Sequence, residues 1–206
     1  MSLDEILDDL TSGDDLLAEA AAHSLSELPE EGQLAAVTAL RALLTSPQVD
    51  QRWWSVRALA ELRVSQVQSL LLQALKDADP SVRQCAALGL RLQIERPPVL
   101  SPTSEAFDAL LPVLLEGLED PDPLAARLAA DVLAVIGEPA VPPLLERLDE
   151  SSQSARLLVV RSLAEIGDQR AIPALMAALD EDSFLMEYWA NEGLEKMGLG
   201  MTYFFP

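Results

Sequence analysis

A unit of about thirty residues recurs along this chain of 206 residues, and it constrains the fold more than any single motif does. The clearest copy is AIPALMAALDEDS, at Ala171–Ser183, which is followed by a helical segment that ends at Gly198. Each unit reads as a short apolar helix, an acidic turn and a second apolar helix. Because one helix pair cannot bury its apolar face alone, neighbouring pairs must stack. We therefore predict an all-α fold that forms a single domain over residues 1–206.

The second helices of the units share one register. Their reference positions are 31, 43, 30 and 31 residues apart, at Arg52, Arg83, Ala126, Arg156 and Glu187. Residues three, four, seven and ten positions later are mostly apolar and should form the core. Glycines at 137, 167 and 198 are expected to end second helices in the left-handed conformation. Prolines at 112, 142, 143 and 173 are expected in the opening turns of first helices.

The 43-residue interval indicates an insertion in the Pro-rich segment 95–104. Three prolines there disfavour a helix, so we expect a surface loop. Insertions in solenoids often lie on a binding face, which leaves a partner-binding loop as the alternative.

Composition and charge exclude several classes of protein. The net charge of -20 argues against binding to nucleic acid phosphates, which requires clustered Lys and Arg. No apolar run has the length of a membrane span, so no membrane insertion is expected. The chain begins with the acidic segment MSLDEILDDL and has one cysteine, Cys85, from which we expect a cytoplasmic protein.

The charge is distributed unevenly. Residues 1–31 hold ten acids and no Lys or Arg, residues 32–104 have a balance of +3, and residues 105–206 a balance of -13. The mildly basic middle has two interpretations. Its bases either belong to solvated faces and repeat stacking, or they attract a partner protein that carries an acidic patch.

The units resemble HEAT repeats in the short form of the phycobilisome lyase-like group, in segments Val67–Arg83, Leu110–Pro121 and Ala171–Asp182 and in the Ile-Gly ends at Ile136–Gly137 and Ile166–Gly167. The resemblance implies a right-handed α-solenoid of about six HEAT-like helix pairs. It also implies that Arg52, Arg83 and Arg156 form a ladder with turn aspartates of neighbouring units. Members of the group from photosynthetic organisms attach or remove bilins, or act as adaptors.

In this resemblance the second helices line the concave side, where a partner would bind. Positions one, five and eight after each reference residue lie off the core face and mix charge with aromatic rings. We predict that the partner-binding residues are Trp53, Arg57, Gln84, Arg91, Arg127, Asp131, Arg161, Tyr188 and Glu192.

Two aromatic pairs are the sharpest local features. Trp53 and Trp54 point about 100° apart on a helix, so one ring should pack and the other should be partly exposed. Tyr188 and Trp189 occupy the same offsets in the last unit. Packing of both tryptophan rings along the seam between repeats is the alternative, as is a capping role for the second pair. The aromatic tail at 199–206 should either fold over the last helix pair or insert into a partner.

The inventory of chemical groups is sparse. His23 is the only histidine, no HExxH, paired-Cys or Gly-rich phosphate motif is present, and Cys85 should be a buried small hydrophobe. We expect no catalytic residues, no metal and no cofactor. The prediction is a non-catalytic protein-binding scaffold, an adaptor or assembly factor. The alternative is a phycobilin lyase subunit or bilin-handling chaperone, in which bilin propionates would pair with Arg57, Arg91, Arg127 and Arg161.

Overall fold

The computed structural model describes residues 2–96, 104–149 and 151–199, without the side chains of 104–107. Within those ranges the chain forms twelve α-helices and no strand. Their bounds are α1 Leu3–Leu10, α2 Asp15–Ser26, α3 Glu30–Leu43, α4 Val49–Glu61, α5 Val67–Ala74, α6 Pro80–Glu95, α7 Ser104–Gly117, α8 Pro123–Ile136, α9 Val141–Arg147, α10 Gln153–Ile166, α11 Ile172–Ala178 and α12 Phe184–Lys196. The predicted all-α class and six helix pairs are confirmed.

The chain divides into two compact units, Met1–Thr103 and Ser104–Pro206. The first unit contains the pairs α1/α2, α3/α4 and α5/α6, and the second contains α7/α8, α9/α10 and α11/α12. The single domain over residues 1–206 stays a prediction.

The even-numbered second helices form the centre of each unit. In the first unit α4 packs against α2, α3, α5 and α6, and in the second α10 packs against α8, α9, α11 and α12. The predicted core is confirmed at offset seven, since Leu59, Leu90, Leu133, Leu163 and Leu194 are all buried, whereas Ile166 and Met197 at offset ten are half-buried. Burial of such side chains in neighbouring pairs is what one pair cannot achieve alone.

Small residues allow consecutive second helices to approach closely. A Cβ added at Gly193 of α12 would lie 2.7 Å from the Cα of Ala164 and 2.8 Å from the Cδ1 of Leu175. In the first unit a Cβ at Gly89 of α6 would lie 3.0 Å from the Cβ of Ala60 on α4. The interhelical spacing at these points therefore depends on the absence of a side chain.

Buried polar side chains bind the carbonyls left open at the ends of the preceding second helix. Gln93 Nε2 donates to the carbonyls of Ala60 and Leu62, at 2.9 and 2.8 Å. Gln33 Nε2 does the same for the end of α2, and its Oε1 accepts from the Arg63 backbone N–H. Each helix end thus gains a partner for groups that would otherwise be unsatisfied.

The predicted arginine ladder is confirmed at Arg52 in the first unit. Its Nε and Nη2 each donate to Asp77 over 2.8 Å, and Nη1 donates to the Ser46 carbonyl. In the second unit, Arg156 donates to Glu181, a glutamate where an aspartate was expected. Arg83 donates to the carbonyls of its own turn, at Asp77 and Ala78.

Two local expectations were wrong. Pro112 lies in the middle of α7, because that helix already begins at Ser104. Gly167 ends α10 in the left-handed conformation as expected, whereas Gly137 after α8 has φ 77° and ψ -134°, because a short 3-10 turn follows it directly. Most of the Pro-rich segment 95–104 and of the tail 199–206 lies outside the described residues.

The described residues include no single helix that is long and apolar enough to span a membrane. The segments Pro123–Ile136 and Glu138–Arg147 together meet the length and composition criteria, but they are bent by 117° at their junction.

We expect Arg52→Ala to lower the free energy of unfolding by about 1–2 kcal/mol, because it leaves Asp77 partly buried without its bidentate donor. Although burial opposes ionisation of Asp77, the hydrogen bonds from Arg52 and the Asp79 backbone N–H dominate and lower its pKa. A carboxyl group whose pKa is lower in the folded state stabilises the fold while it is ionised. The contribution of Asp77 to the free energy of unfolding is therefore lost as the pH falls through its folded-state pKa. Urea titrations at neutral and acidic pH measure the effect. Arg91→Ala, at the exposed ion pair with Glu95, is the control, and an equal loss there would contradict the prediction.

We expect Gly193→Ala to destabilise the second unit by about 1–3 kcal/mol, because its Cβ would collide with the backbone of α10. Thermal and urea unfolding monitored by circular dichroism measure the change. Gly32→Ala is the matched control, since the nearest atoms there belong to the side chains of Leu28 and Pro29. Equal stabilities for the two variants would show that the packing of α12 on α10 does not depend on a glycine at position 193.

Candidate functional site

Four of the predicted site residues line one cavity in the first unit. The cavity has a volume of about 610 Å³ and lies along α4 and α6; we call it the α4–α6 groove. It is lined by Trp53, Arg57, Ala60, Ser81, Gln84, Cys85, Leu88, Gly89, Arg91, Leu92 and Glu95. Every residue at offsets one, five and eight of these two helices is in that set, so the register predicted the lining of the groove.

The groove has an apolar floor and a charged rim. Leu88 is 47% exposed on α6, and Trp53 of α4 is half-buried in the same lining. Leu92 and Gly89 extend the apolar surface along the helix. An exposed leucine and an indole ring in one cavity form the kind of apolar centre, enclosed by polar groups, that protein interfaces bury.

Arg57 is held by two carboxylates of its own unit. It donates to Glu19 on α2 and, over 2.7 Å, to Glu61 on α4, while Arg96 donates to the second oxygen of Glu61. Burial of Glu61 disfavours its charge, yet the hydrogen bonds from Arg57 and Arg96 outweigh that cost and lower its pKa. The guanidinium of Arg57 therefore orders the groove wall from within.

The charges in and beside the groove balance. Arg91 pairs with Glu95 at 2.8 Å on the exposed rim, where such a pair contributes little to stability. Together with the network around Arg57, three arginines face three glutamates. These six ion-paired residues in and beside the groove therefore sum to zero charge, in a protein of net charge -20.

The two tryptophans share a different arrangement from the one expected. Trp53 and Trp54 meet edge to face, with ring centroids 4.7 Å apart and planes at 87°, and both are half-buried. The expected partial exposure of one ring is confirmed, but it extends to both rings, so neither is fully packed. The reason is a second cavity of about 660 Å³ at the start of α4, which both rings line.

In the second unit two predicted residues, Asp131 and Arg161, meet at a half-buried ion pair. Arg161 Nη2 donates to Asp131 at 2.6 Å, its Nε donates to Glu165 at 2.8 Å, and its guanidinium carbon lies 5.3 Å from the Trp189 ring centroid. This geometry combines ion pairs with a cation–π contact. Asp131 and Arg161 are thus paired to each other and stabilise the packing of α8 on α10.

The remaining predicted residues of the second unit are more accessible. Tyr188 is 45% exposed and meets Trp189 edge to face, with centroids 5.2 Å apart. Glu192 lines a cavity of about 410 Å³ together with Trp189 and Glu165. Arg127 is exposed on α8. Glu192 therefore lines this small cavity, whereas Tyr188 contacts it only through Trp189.

Sequence reasoning left three contributing residues out of the site. Leu88 lies at offset five of α6, in the same row as Gln84 and Arg91, but was not among the predicted site residues. Glu61 is four positions after Arg57, a spacing that signals an ion pair on a helix. Trp189 stacks on Arg161 from the next second helix, and no local pattern in the sequence reveals that contact.

Reactive groups are few in the described part of the chain. His23 is exposed, and no cluster of His, Cys, Asp and Glu there has the geometry to hold a metal ion. Cys85 is buried as predicted, and burial raises the pKa of its thiol to about 12.

We expect Cys85 to react very slowly in the folded protein, because at pH 8 a thiol with this pKa is ionised in about one molecule in ten thousand. Ellman's reagent added with and without urea measures the rate. The native rate should be at least about a hundred-fold lower than the unfolded rate. Rapid native labelling would show that the groove opens to the thiol.

The chain matches a family model described as HEAT repeats, over residues 37–110 and 111–195. Among curated proteins it is 35% identical over 138 residues to the phycocyanobilin lyase subunit beta of Pseudanabaena tenuis, which covers 67% of this chain and 44% of that protein. It is 40% identical over 75 residues to the phycobilisome maturation protein of Synechococcus elongatus, covering 36% of each. The matches span less than half the length of these relatives.

Solved structures show the same fold. The archaeal HEAT-like repeats protein of Thermococcus onnurineus superposes with a TM-score of 0.66 at 16% identity, covering 98% of this chain and 82% of that one. The complex of CpcE and CpcF of phycocyanin lyase from Nostoc matches with a TM-score of 0.51 at 21% identity, covering 96% and 77%. With its stacked helix pairs, arginine ladder and matched repeats over most of its length, this chain belongs to the HEAT-repeat family.

Proposed function

We propose that this chain is a non-catalytic adaptor or assembly factor that binds another protein in the α4–α6 groove. The observation that carries the proposal is the grouping of Trp53, Gln84, Leu88 and Arg91 in one cavity with an apolar floor and a balanced charged rim. Tryptophan and arginine are the side chains that most often dominate binding energy at protein interfaces. No group in the described part of the groove is suited to nucleophilic or metal chemistry, since its single thiol is protonated.

The relatives indicate the class of partner. One is named a phycocyanobilin lyase subunit and another a phycobilisome maturation protein, and a structural neighbour is a complex of two lyase proteins. We propose that the partner is a phycobiliprotein subunit or a second subunit of a lyase, in the cytoplasm of a photosynthetic organism. The balanced rim of the groove favours neither a strongly acidic nor a strongly basic partner surface.

Bilin binding is the second candidate. Its support is the groove volume of about 610 Å³, which lies within the range of small-molecule sites, together with the lyase names of the relatives. Arg57 weighs against it, because its guanidinium already pairs with Glu19 and Glu61, so a propionate would have to displace a carboxylate. The protein-binding proposal needs no such exchange.

We expect Leu88→Ser to weaken binding to purified apo-phycocyanin subunits or to a purified lyase partner by about ten-fold or more, because it removes apolar area from the centre of the interface. Isothermal titration calorimetry measures the affinity. Leu34→Ser is the matched control, since Leu34 is also partly exposed but lies on α3 outside the groove. Its affinity and the unfolding midpoint of both variants should remain at the wild-type values.

The same pair of variants distinguishes the two candidate functions. Free phycocyanobilin added to the wild-type protein should leave the bilin absorption spectrum unchanged. A spectral shift that Leu88→Ser removes and Leu34→Ser retains would favour the bilin function. Unchanged protein affinity in Leu88→Ser would exclude the α4–α6 groove as the binding site.

A further inference from the structure

A second cavity in the first unit has a chemistry unlike that of the groove. It encloses about 660 Å³ where the α1–α2 and α3–α4 turns meet the starts of α4 and α6, and we call it the turn-edge cavity. It is lined by Leu10, Thr11, Gly13, Asp15, Gln48, Asp50, Gln51, Trp53, Trp54 and Ser81. Only Trp53 and Ser81 also line the α4–α6 groove.

The aromatic part of the turn-edge cavity suits a cation. Trp53 and Trp54 stand at 87° to one another and are both half-buried, so the cavity is bounded by rings in two orientations. The face of an indole ring carries negative electrostatic potential and attracts ammonium and guanidinium groups. Rings in two orientations can therefore contact a cation from two sides.

The carboxylates of the cavity have the complementary charge. Asp15 and Asp50 are exposed in its lining, and neither side chain makes a hydrogen bond or an ion pair with other residues of the described ranges. Among the described residues that line the cavity, none is Lys or Arg. The nearest arginine in sequence, Arg52, is engaged by Asp77 and the Ser46 carbonyl. The lining therefore has two carboxylates and no cation of its own to neutralise them.

The helix N-termini at the cavity would favour an anion and not a cation. The starts of α2, α4 and α6 lie there, and partial positive charge at a helix start favours anions. Two of the three are already capped, because Asp14 accepts from the N–H groups of Leu16 and Leu17, and Asp79 accepts from that of Ser81. The caps and the two lining carboxylates outweigh the remaining partial charge, so a cation is the better ligand.

We propose that the turn-edge cavity binds an arginine side chain presented by a partner protein. A guanidinium is planar, stacks on indole rings and donates to carboxylates through a fork of N–H groups, which an ammonium cannot do. The turn-edge cavity is distinct from the α4–α6 groove, with which it shares only Trp53 and Ser81. Its proposed ligand is a type of side chain, whichever protein carries it. Because Trp53 lines both cavities, a partner that fills the groove can place an arginine in the adjacent cavity.

A capped Gly-Arg-Gly peptide tests the site without any partner protein. In ¹H–¹⁵N spectra the chain has three indole N–H resonances, and titration should shift those of Trp53 and Trp54 but not that of Trp189. The matched peptide with citrulline, a neutral isostere of arginine, should cause no shift. A lysine peptide should bind more weakly than the arginine peptide, and added salt should weaken both.

Substitutions of Asp15 and Asp50 test whether their carboxylates bind the arginine peptide. Asp15→Asn and Asp50→Asn should each weaken the arginine peptide about two- to five-fold. Glu31→Gln, which removes one exposed charge outside the cavity, should leave the affinity unchanged. Leu88→Ser should also leave it unchanged, so failure of the groove proposal and failure of this one are distinguishable.

Three results would overturn the proposal. Equal shifts with the citrulline peptide would show that the cavity does not recognise charge. Shifts with inorganic phosphate in place of the peptide would show that the helix N-termini dominate. An unchanged affinity in both aspartate variants would place the arginine elsewhere on the chain.

Discussion

The distance between consecutive second helices governs the rest of this structure. Gly193 leaves room for the backbone of α10, and Gly89 leaves room for Ala60 of α4. At this separation, side chains of one helix reach the open carbonyls of the preceding helix, as Gln93 does. Arg57 of α4 and Glu19 of α2 can also form an ion pair between consecutive second helices. Wider spacing would remove these contacts together, and the groove would lose both its floor and its wall.

The fold was largely readable from the sequence because its information is local and periodic. Apolar residues at offsets three, four, seven and ten selected one face of each second helix, and Leu59, Leu90 and Leu133 are buried there. The arginine ladder was expected from the resemblance to HEAT repeats, and Arg52 does donate to Asp77 in the next turn. Pro112 escaped prediction because α7 is longer than the other first helices of its unit, which no periodic signal in a single repeat reveals.

The site was only partly readable. The same register placed Trp53, Gln84 and Arg91 on a common surface, and they do line one cavity. What the register could not supply was the ionic partner of each arginine. Arg57 meets Glu19 across 38 positions of sequence, and Arg161 meets Asp131 across 30. These pairings depend on which rotamers fit between packed helices. Both arginines had been predicted to contact a partner, and each is instead paired with a carboxylate of its own unit.

The edge-to-face contact of Trp53 and Trp54 also has an optical consequence. Two indoles whose centroids are 4.7 Å apart share their excited states, so their ultraviolet transitions couple. The third indole of the chain, Trp189, belongs to the other compact unit. An exciton couplet between two indoles in the circular dichroism spectrum would therefore arise from the first unit, since the second has one indole, which pairs with Tyr188. It would give that unit an intrinsic spectroscopic marker, so that its melting could be followed without labels and separately from that of the second unit.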